Sequence, residues 1–261
     1  MDLVRQVVTA IAIFGSIIIN ILANALPFNG QNTGQISDRF QVYFTPAGYV
    51  FAIWGVIYVG LIAFGIYQAL PAQRSHPALR RAGWMLTLGC VANVAWIFLW
   101  HYNIFPLTLV AMLVLLLTLI ASYLTLGIGR AKVPAAERWT LHVPISIYLG
   151  WITVATIANV TALLYLAIAG GLDKGVPVTA VSLLGIGPET WTAIILVVAA
   201  VIASTVVYTR RDIAYGLVVV WAFIGIAVKW PAVLLVAGAA GVMAALIAVD
   251  IVTVIVRRRP A

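Results

Sequence analysis

Eight apolar stretches recur along the chain, and its basic residues crowd onto alternate connections between them. A hydrocarbon core about 30 Å thick takes roughly 20 apolar residues per helix. The chain reaches that length at residues 6–26, 47–70, 83–103, 106–128, 139–168, 190–208, 213–229 and 232–256. Pro27, Pro46, Pro71, Pro106, Pro134, Pro188 and Pro231 punctuate the connections. Helix is the only element these segments can form. Open strands leave backbone groups unpaired in lipid, and the strict alternation of a barrel strand is missing. Charged residues make up 8% of the chain and mean hydropathy is +1.12, too little charge to cover a water-facing surface. The expected fold is all-α and polytopic, with about eight transmembrane helices.

Orientation follows from the 15 Lys and Arg. With a cytoplasmic N-terminus, the inner side holds Arg5, Arg74, Arg80, Arg81, Arg130, Lys132, Arg138, Arg210, Arg211 and the tail Arg257, Arg258 and Arg259. The outer side holds only Arg39, Lys174 and Lys229. Every inner connection then obeys the positive-inside rule, which predicts an even number of crossings with both ends cytoplasmic, in the cell (inner) membrane. Trp100, Trp191 and Trp230 stand at outer ends and Trp84 and Trp139 at inner ones, as interfacial anchors do. The net charge of +8 is therefore a topology signal with a secondary attraction to anionic lipid; it excludes nucleic acid as a partner. Arg5, the apolar run and Ala23-Asn24-Ala25 also resemble a signal peptide, but the run is long for one, and a retained first helix is expected. Cys90, alone and mid-helix, offers neither a disulfide nor a metal pair.

Ionisable groups inside membrane helices mark function, and here they are few. Asp250 is the clear case. Two readings stand for it: an interfacial pair with Arg257, Arg210 or Arg211, or a proton or ion site. No lysine lies mid-helix to carry a Schiff base. His76, His101 and His142 share no ligand spacing, although a neutral His101 imidazole has the chemistry of an axial haem ligand. No nucleophile–base pair, HExxH or phosphate loop has a suitable context, so no catalytic or metal residue is assigned and an enzyme is the least expected class. Gly238 to Gly241 and the alanines around them permit close packing or a homodimer.

Aromatic and amide residues stand out instead. Trp54, Tyr58, Trp96, Trp100, Tyr148 and Trp151 lie within spans, with Asn93 and Asn159. Asn93, Trp96 and Trp100 share one helix face, as do Tyr148, Trp151, Ala155 and Asn159. These residues read either as interhelical glue with aromatic packing or as one aromatic-lined pocket beneath the connection 27–46.

Three runs then resemble the TspO/MBR family, the tryptophan-rich sensory or translocator proteins. Phe44-Thr45-Pro46-Ala47-Gly48-Tyr49-Val50-Phe51-Ala52-Ile53-Trp54 through Tyr58 is similar to the signature opening that family's second helix. Asn93-Val94-Ala95-Trp96 followed by aromatics resembles its third, and Tyr148-Leu149-Gly150-Trp151 through Ala155 and Asn159 resembles its fifth. The chain departs from the pattern at Ala47, at His101, at Tyr43 and in the Phe51-to-Trp54 spacing. The resemblance covers residues 1–168 and implies a five-helix bundle there, with three additional helices and a basic tail over 169–261. It further implies a pocket holding Tyr43, Phe44, Trp54, Trp96, Trp100, Trp151, Ala155 and Asn159, for tetrapyrroles such as protoporphyrin IX and haem, or for sterol-like molecules.

The expected function is thus an integral membrane binding or sensory protein for a flat hydrophobic ligand. A transporter of such a ligand and an accessory membrane subunit are the alternatives. The expected partners are the lipid bilayer, the hydrophobic small molecule and a second copy of the chain.

Overall fold

A computed structural model describes residues 1–172 and 176–257; the outer Lys174 and the tail Arg258 and Arg259 lie outside the described residues. The chain is helical almost throughout. In order the α-helices are α1 (Asp2–Ala25), α2 (Thr33–Asp38), α3 (Ile53–Ala69), α4 (Pro77–His101), α5 (Phe105–Thr125), the single turn α6 (Ala135–Glu137), α7 (Val143–Ala169), α8 (Pro188–Arg210), α9 (Ile213–Lys229) and α10 (Leu234–Val256). A 3-10 turn, Gly48–Ala52, leads into α3.

Among the described residues, seven stretches are long and apolar enough to cross a membrane: Asp2–Ala25, Gly48–Ala69, Pro77–His101, Phe105–Thr125, Ala135–Ala169, Pro188–Arg210 and Leu234–Val256. The expectation of about eight is met by these seven and by α9, which is apolar but has only 17 residues. At 1.5 Å per residue α9 measures about 25 Å, short of a hydrocarbon core of about 30 Å. Asp212 and Lys229 set its ends. The Asp212 carboxylate caps the first turn by accepting from the Tyr215 amide at 3.1 Å, and Lys229 closes the last.

The chain divides into two compact units. One comprises residues 1–36 and 52–156, the other 37–51 and 157–261, so the division falls within α7.

In the first unit, α4 packs against α1 and α5, and α1 against α3. α1 shows why. Its buried residues, Arg5, Gln6, Thr9, Ile13, Ser16, Ile17, Asn20 and Ala23, recur at helical spacing and include every strongly polar side chain of its middle. Lipid hydrates none of these groups, so the polar stripe turns inward. Arg5 donates to Gln68 Oε1 at 3.2 Å and to the Arg74 carbonyl at 3.2 Å; Gln6 donates to the carbonyls of Gln68 and Leu70. These groups satisfy the carbonyls at the end of α3, which have no partner within their own helix. α4 and α5 approach closely at Gly89, where a Cβ would stand 2.8 Å from Thr118 Oγ1.

Between α6 and α7 the helix widens into a π-turn, Arg138–His142. Pro144 explains the position. It has no amide to donate, and its ring would crowd the carbonyl four residues back, so the ladder loosens there. The proline ring packs on Gly60, where a Cβ would come within 2.9 Å of Pro144 Cβ.

In the second unit α8, α9 and α10 pack against one another pairwise. α8 and α9 are joined by Arg211 and Asp212 alone, Arg211 taking a left-handed φ of 53°. Gly216 lets α9 close on Val207 and Ile251. Asp250 of α10 is tied to α8 by two hydroxyls. Its oxygens accept from Ser204 Oγ at 2.5 Å and Tyr208 OH at 2.7 Å, both on α8. Those hydroxyls are one helical turn apart on the face of α8 that meets α10, so both reach the carboxylate.

Candidate functional site

The sequence-predicted site residues fall into several groups. In the first unit, Trp54 and Tyr58 sit one turn apart on α3, and Tyr148 and Trp151 one turn apart on α7. The four rings meet. The Trp54 centroid is 5.6 Å from Tyr58, 6.1 Å from Tyr148 and 6.3 Å from Trp151, the last two edge to face at 66° and 80°. Tyr148 and Trp151 are buried, while Trp54 and Tyr58 are half-buried. Edge-to-face contact suits the quadrupoles of these rings. Ala155 continues the α7 face, half-buried, one turn beyond Trp151.

A second aromatic group forms on α4. Trp96 and Trp100 stack at 5.1 Å and 17°, and Phe105 meets Trp100 edge-on at 5.3 Å. The Trp100 indole donates to the Thr33 carbonyl at 3.3 Å, whereas Trp96 Nε1 is buried with no hydrogen-bond partner. A buried indole N–H without a partner is costly and uncommon. His101, next along α4, is 1% exposed. Its Nδ1 lies 2.7 Å from the Ile97 carbonyl. A carbonyl only accepts, so Nδ1 donates here, and Nε2 is buried without a hydrogen-bond partner. The segment after α1 closes over this end of α4. Phe28 stacks on Phe98 at 5.6 Å, and Asn29 Nδ2 donates to the His101 carbonyl at 3.0 Å.

Asn93 is used as glue. Its amide oxygen accepts from Asn20 Nδ2 of α1 at 2.6 Å, the interhelical bond that a buried amide needs in lipid.

Tyr43, Phe44 and Asn159 belong to the second unit. Asn159 is buried on α7. Tyr43 meets Trp230 edge to face at 5.0 Å, and the Trp230 indole donates to the Thr45 carbonyl at 3.3 Å. Trp221 donates to the Val50 carbonyl at 3.1 Å, and the Ala47 amide donates to the Gly225 carbonyl at 3.0 Å. Lys229 pairs with Asp38 at 3.0 Å. These bonds hold residues 37–51 against α9. Burial, and then the Glu189 carboxylate, push the Tyr43 phenol above the usual tyrosine range.

Tyr43 and Phe44 also line a cavity of about 160 Å³ with Tyr165 of α7 and Trp191 and Thr192 of α8. Sequence reasoning missed this cavity. Trp191 was legible as an interfacial anchor, but nothing in its spacing ties it to Tyr43. A further grouping also escaped notice. Glu137 stands between two histidines of the first unit, 3.6 Å from His76 Nε2 and 4.0 Å from His142 Nε2. Among the described residues, no group of three or more His, Cys, Asp or Glu is placed to hold a metal ion.

A family model described as "TSPO-like protein" matches residues 6–253, across the last three helices as well as the first five. No curated protein and no solved structure matches the chain.

Proposed function

Because the chain belongs to the TSPO-like family, we propose that this multi-pass membrane protein binds a flat hydrophobic ligand, a tetrapyrrole or a sterol-like molecule, on the aromatic cluster of its first unit. The observation that carries the reading is the meeting of Trp54, Tyr58, Tyr148 and Trp151 from two helices. Half-buried indole and phenol faces stack on planar ligands, and the uncommitted Trp96 N–H supplies a directional donor of the kind that orients a ligand in an apolar site. The output is sensory or regulatory. In the same reading both termini are cytoplasmic, and a homodimer forms through the face of α10 carrying Gly238 and Gly241, which meet no atom within 4 Å.

The test is a titration of detergent-purified protein with protoporphyrin IX and hemin, followed by tryptophan fluorescence and the Soret band. Saturable binding at micromolar concentration or tighter is expected, weakened at least several-fold by Trp54→Ala and by Trp151→Ala. Unchanged affinity in both variants would remove the cluster from the site. His101 adds a narrower expectation. A histidine whose Nδ1 is held by a carbonyl offers Nε2 to a metal. Hemin, and not the metal-free porphyrin, should therefore lose affinity in His101→Ala. A receptor moves no ligand across a vesicle, so ligand-dependent flux would favour the transporter alternative.

A further inference from the structure

The cavity of the second unit is a different kind of site from the aromatic cluster. Every polar side chain in its wall for which a bond is described turns its donor onto a nearby carbonyl. Tyr165 OH donates to Val176 at 2.7 Å, Trp191 Nε1 to Leu183 at 2.8 Å, Thr192 Oγ1 to Pro188 at 2.7 Å and Thr161 Oγ1 to Ala158 at 2.8 Å. What faces inward is mostly carbon. Such a wall has little to offer a polar ligand, and an apolar cavity of this kind holds no water. Its volume, about 160 Å³, is close to that of the apolar protein cavity of about 150 Å³ known to admit a single benzene. That is too small for a fused-ring or tetrapyrrole ligand and enough for a slender chain.

The cavity is half-enclosed. Leu164 and Ile168 of α7 belong to its lining and are 40% and 41% exposed. They lie near the end of the apolar stretch Ala135–Ala169, so the surface they present is apolar and placed to meet lipid. Thr192 and Ile195 stand about 6–10 Å in from the start of α8, at 1.5 Å per residue, at the depth of the upper methylenes of a lipid chain. We infer that this cavity takes the glycerol-proximal part of one phospholipid acyl chain, entering sideways from the bilayer past Leu164 and Ile168. The inference does not depend on the ligand proposed for the aromatic cluster.

The full chain, reconstituted in phosphatidylcholine vesicles, tests it. A fraction of the lipid carries a diazirine near the ester end of one acyl chain, and labelled positions are mapped after irradiation. Ile168 and Ile195 should be labelled several-fold more than Val59 and Val249, which are 69% and 61% exposed on α3 and α10. Thr192→Phe fills the cavity and Leu164→Trp covers its mouth. Each should lower labelling at Ile168 and Ile195 several-fold and leave Val59 unchanged. Should Thr192→Phe fail to fold, Leu164→Trp, at an exposed position, decides alone. Labelling of the cavity no stronger than at Val59, or unaffected by the variants, overturns the inference. So does labelling by a free diazirine-bearing toluene in the absence of any labelling by the lipid.

Discussion

Arg5 is the most committed residue of the first unit: a guanidinium 1% exposed, inside a span, whose Nη1 and Nη2 donate to Gln68 and to the carbonyls of Gln73 and Arg74 while its Nε is buried with no hydrogen-bond partner. Replacing it with methionine keeps the volume and strands these acceptors. Arg5→Met should cost about 1–3 kcal/mol, the usual penalty for leaving buried polar groups unpaired. A thermal unfolding midpoint in detergent equal to that of the parent would contradict this. Tyr43 gives a pH prediction. Its phenol is raised by burial and by Glu189, so its native pKa exceeds its unfolded one. Its contribution to stability is complete below the unfolded value near 10 and is lost as pH rises through the native value. Ultraviolet titration against Tyr43→Phe should show this phenolate forming later than that of an exposed tyrosine. Neither environment could be read from the chain. Arg5 was legible as an inner topology charge, and its helix-end partners, some 63 to 69 positions away, emerge only once α1 lies beside α3.

At the scale of elements, the spans were legible because lipid imposes one length and one backbone solution, and residue order carries both. The tight contacts were not. Gly225 is an unremarked glycine in an apolar run, yet a Cβ there would collide with the Val50 side chain and stand 3.1 Å from Pro46 Cβ. Gly225→Ala must therefore displace residues 46–50 from α9 and should destabilise by about 1–3 kcal/mol, the cost of overpacking. Gly238→Ala and Gly241→Ala, at positions with open space, should leave the unfolding of a monomer unchanged. Comparing the three in one melting series separates a contact inside the chain from any general intolerance of alanine. The aromatic faces of α4 and α7 were legible from i, i+3 and i+4 spacing. Which faces meet was not, because Trp54 finds Tyr148 and Trp151 across almost a hundred residues.

For the molecule as a whole, the short α9 carries the decision about topology. If it crosses, the spans number eight and both ends of the chain share a side; if it lies within the interface, the ends are opposed. The distribution of basic residues favours the crossing. A helix a few ångströms short is accommodated by local thinning of the bilayer at modest cost. Reporter fusions or protease access at Met1 and after Arg257 should therefore place both ends on the cytoplasmic side. A C-terminal reporter on the far side would show that α9 does not span.

The π-turn at Arg138–His142 has a consequence for insertions and deletions. Each residue of an ordinary helix advances the face by about 100°. A π-turn absorbs one extra residue while leaving what precedes and follows it in phase. Glu137 stands beside His76 before the turn, and Trp151 meets Trp54 after it. Losing one residue from 138–142 should straighten the ladder and spare the aromatic cluster. Losing one from 145–150 should swing Trp151 off its partner ring. In this stretch of the chain the position of a gap matters more than its size.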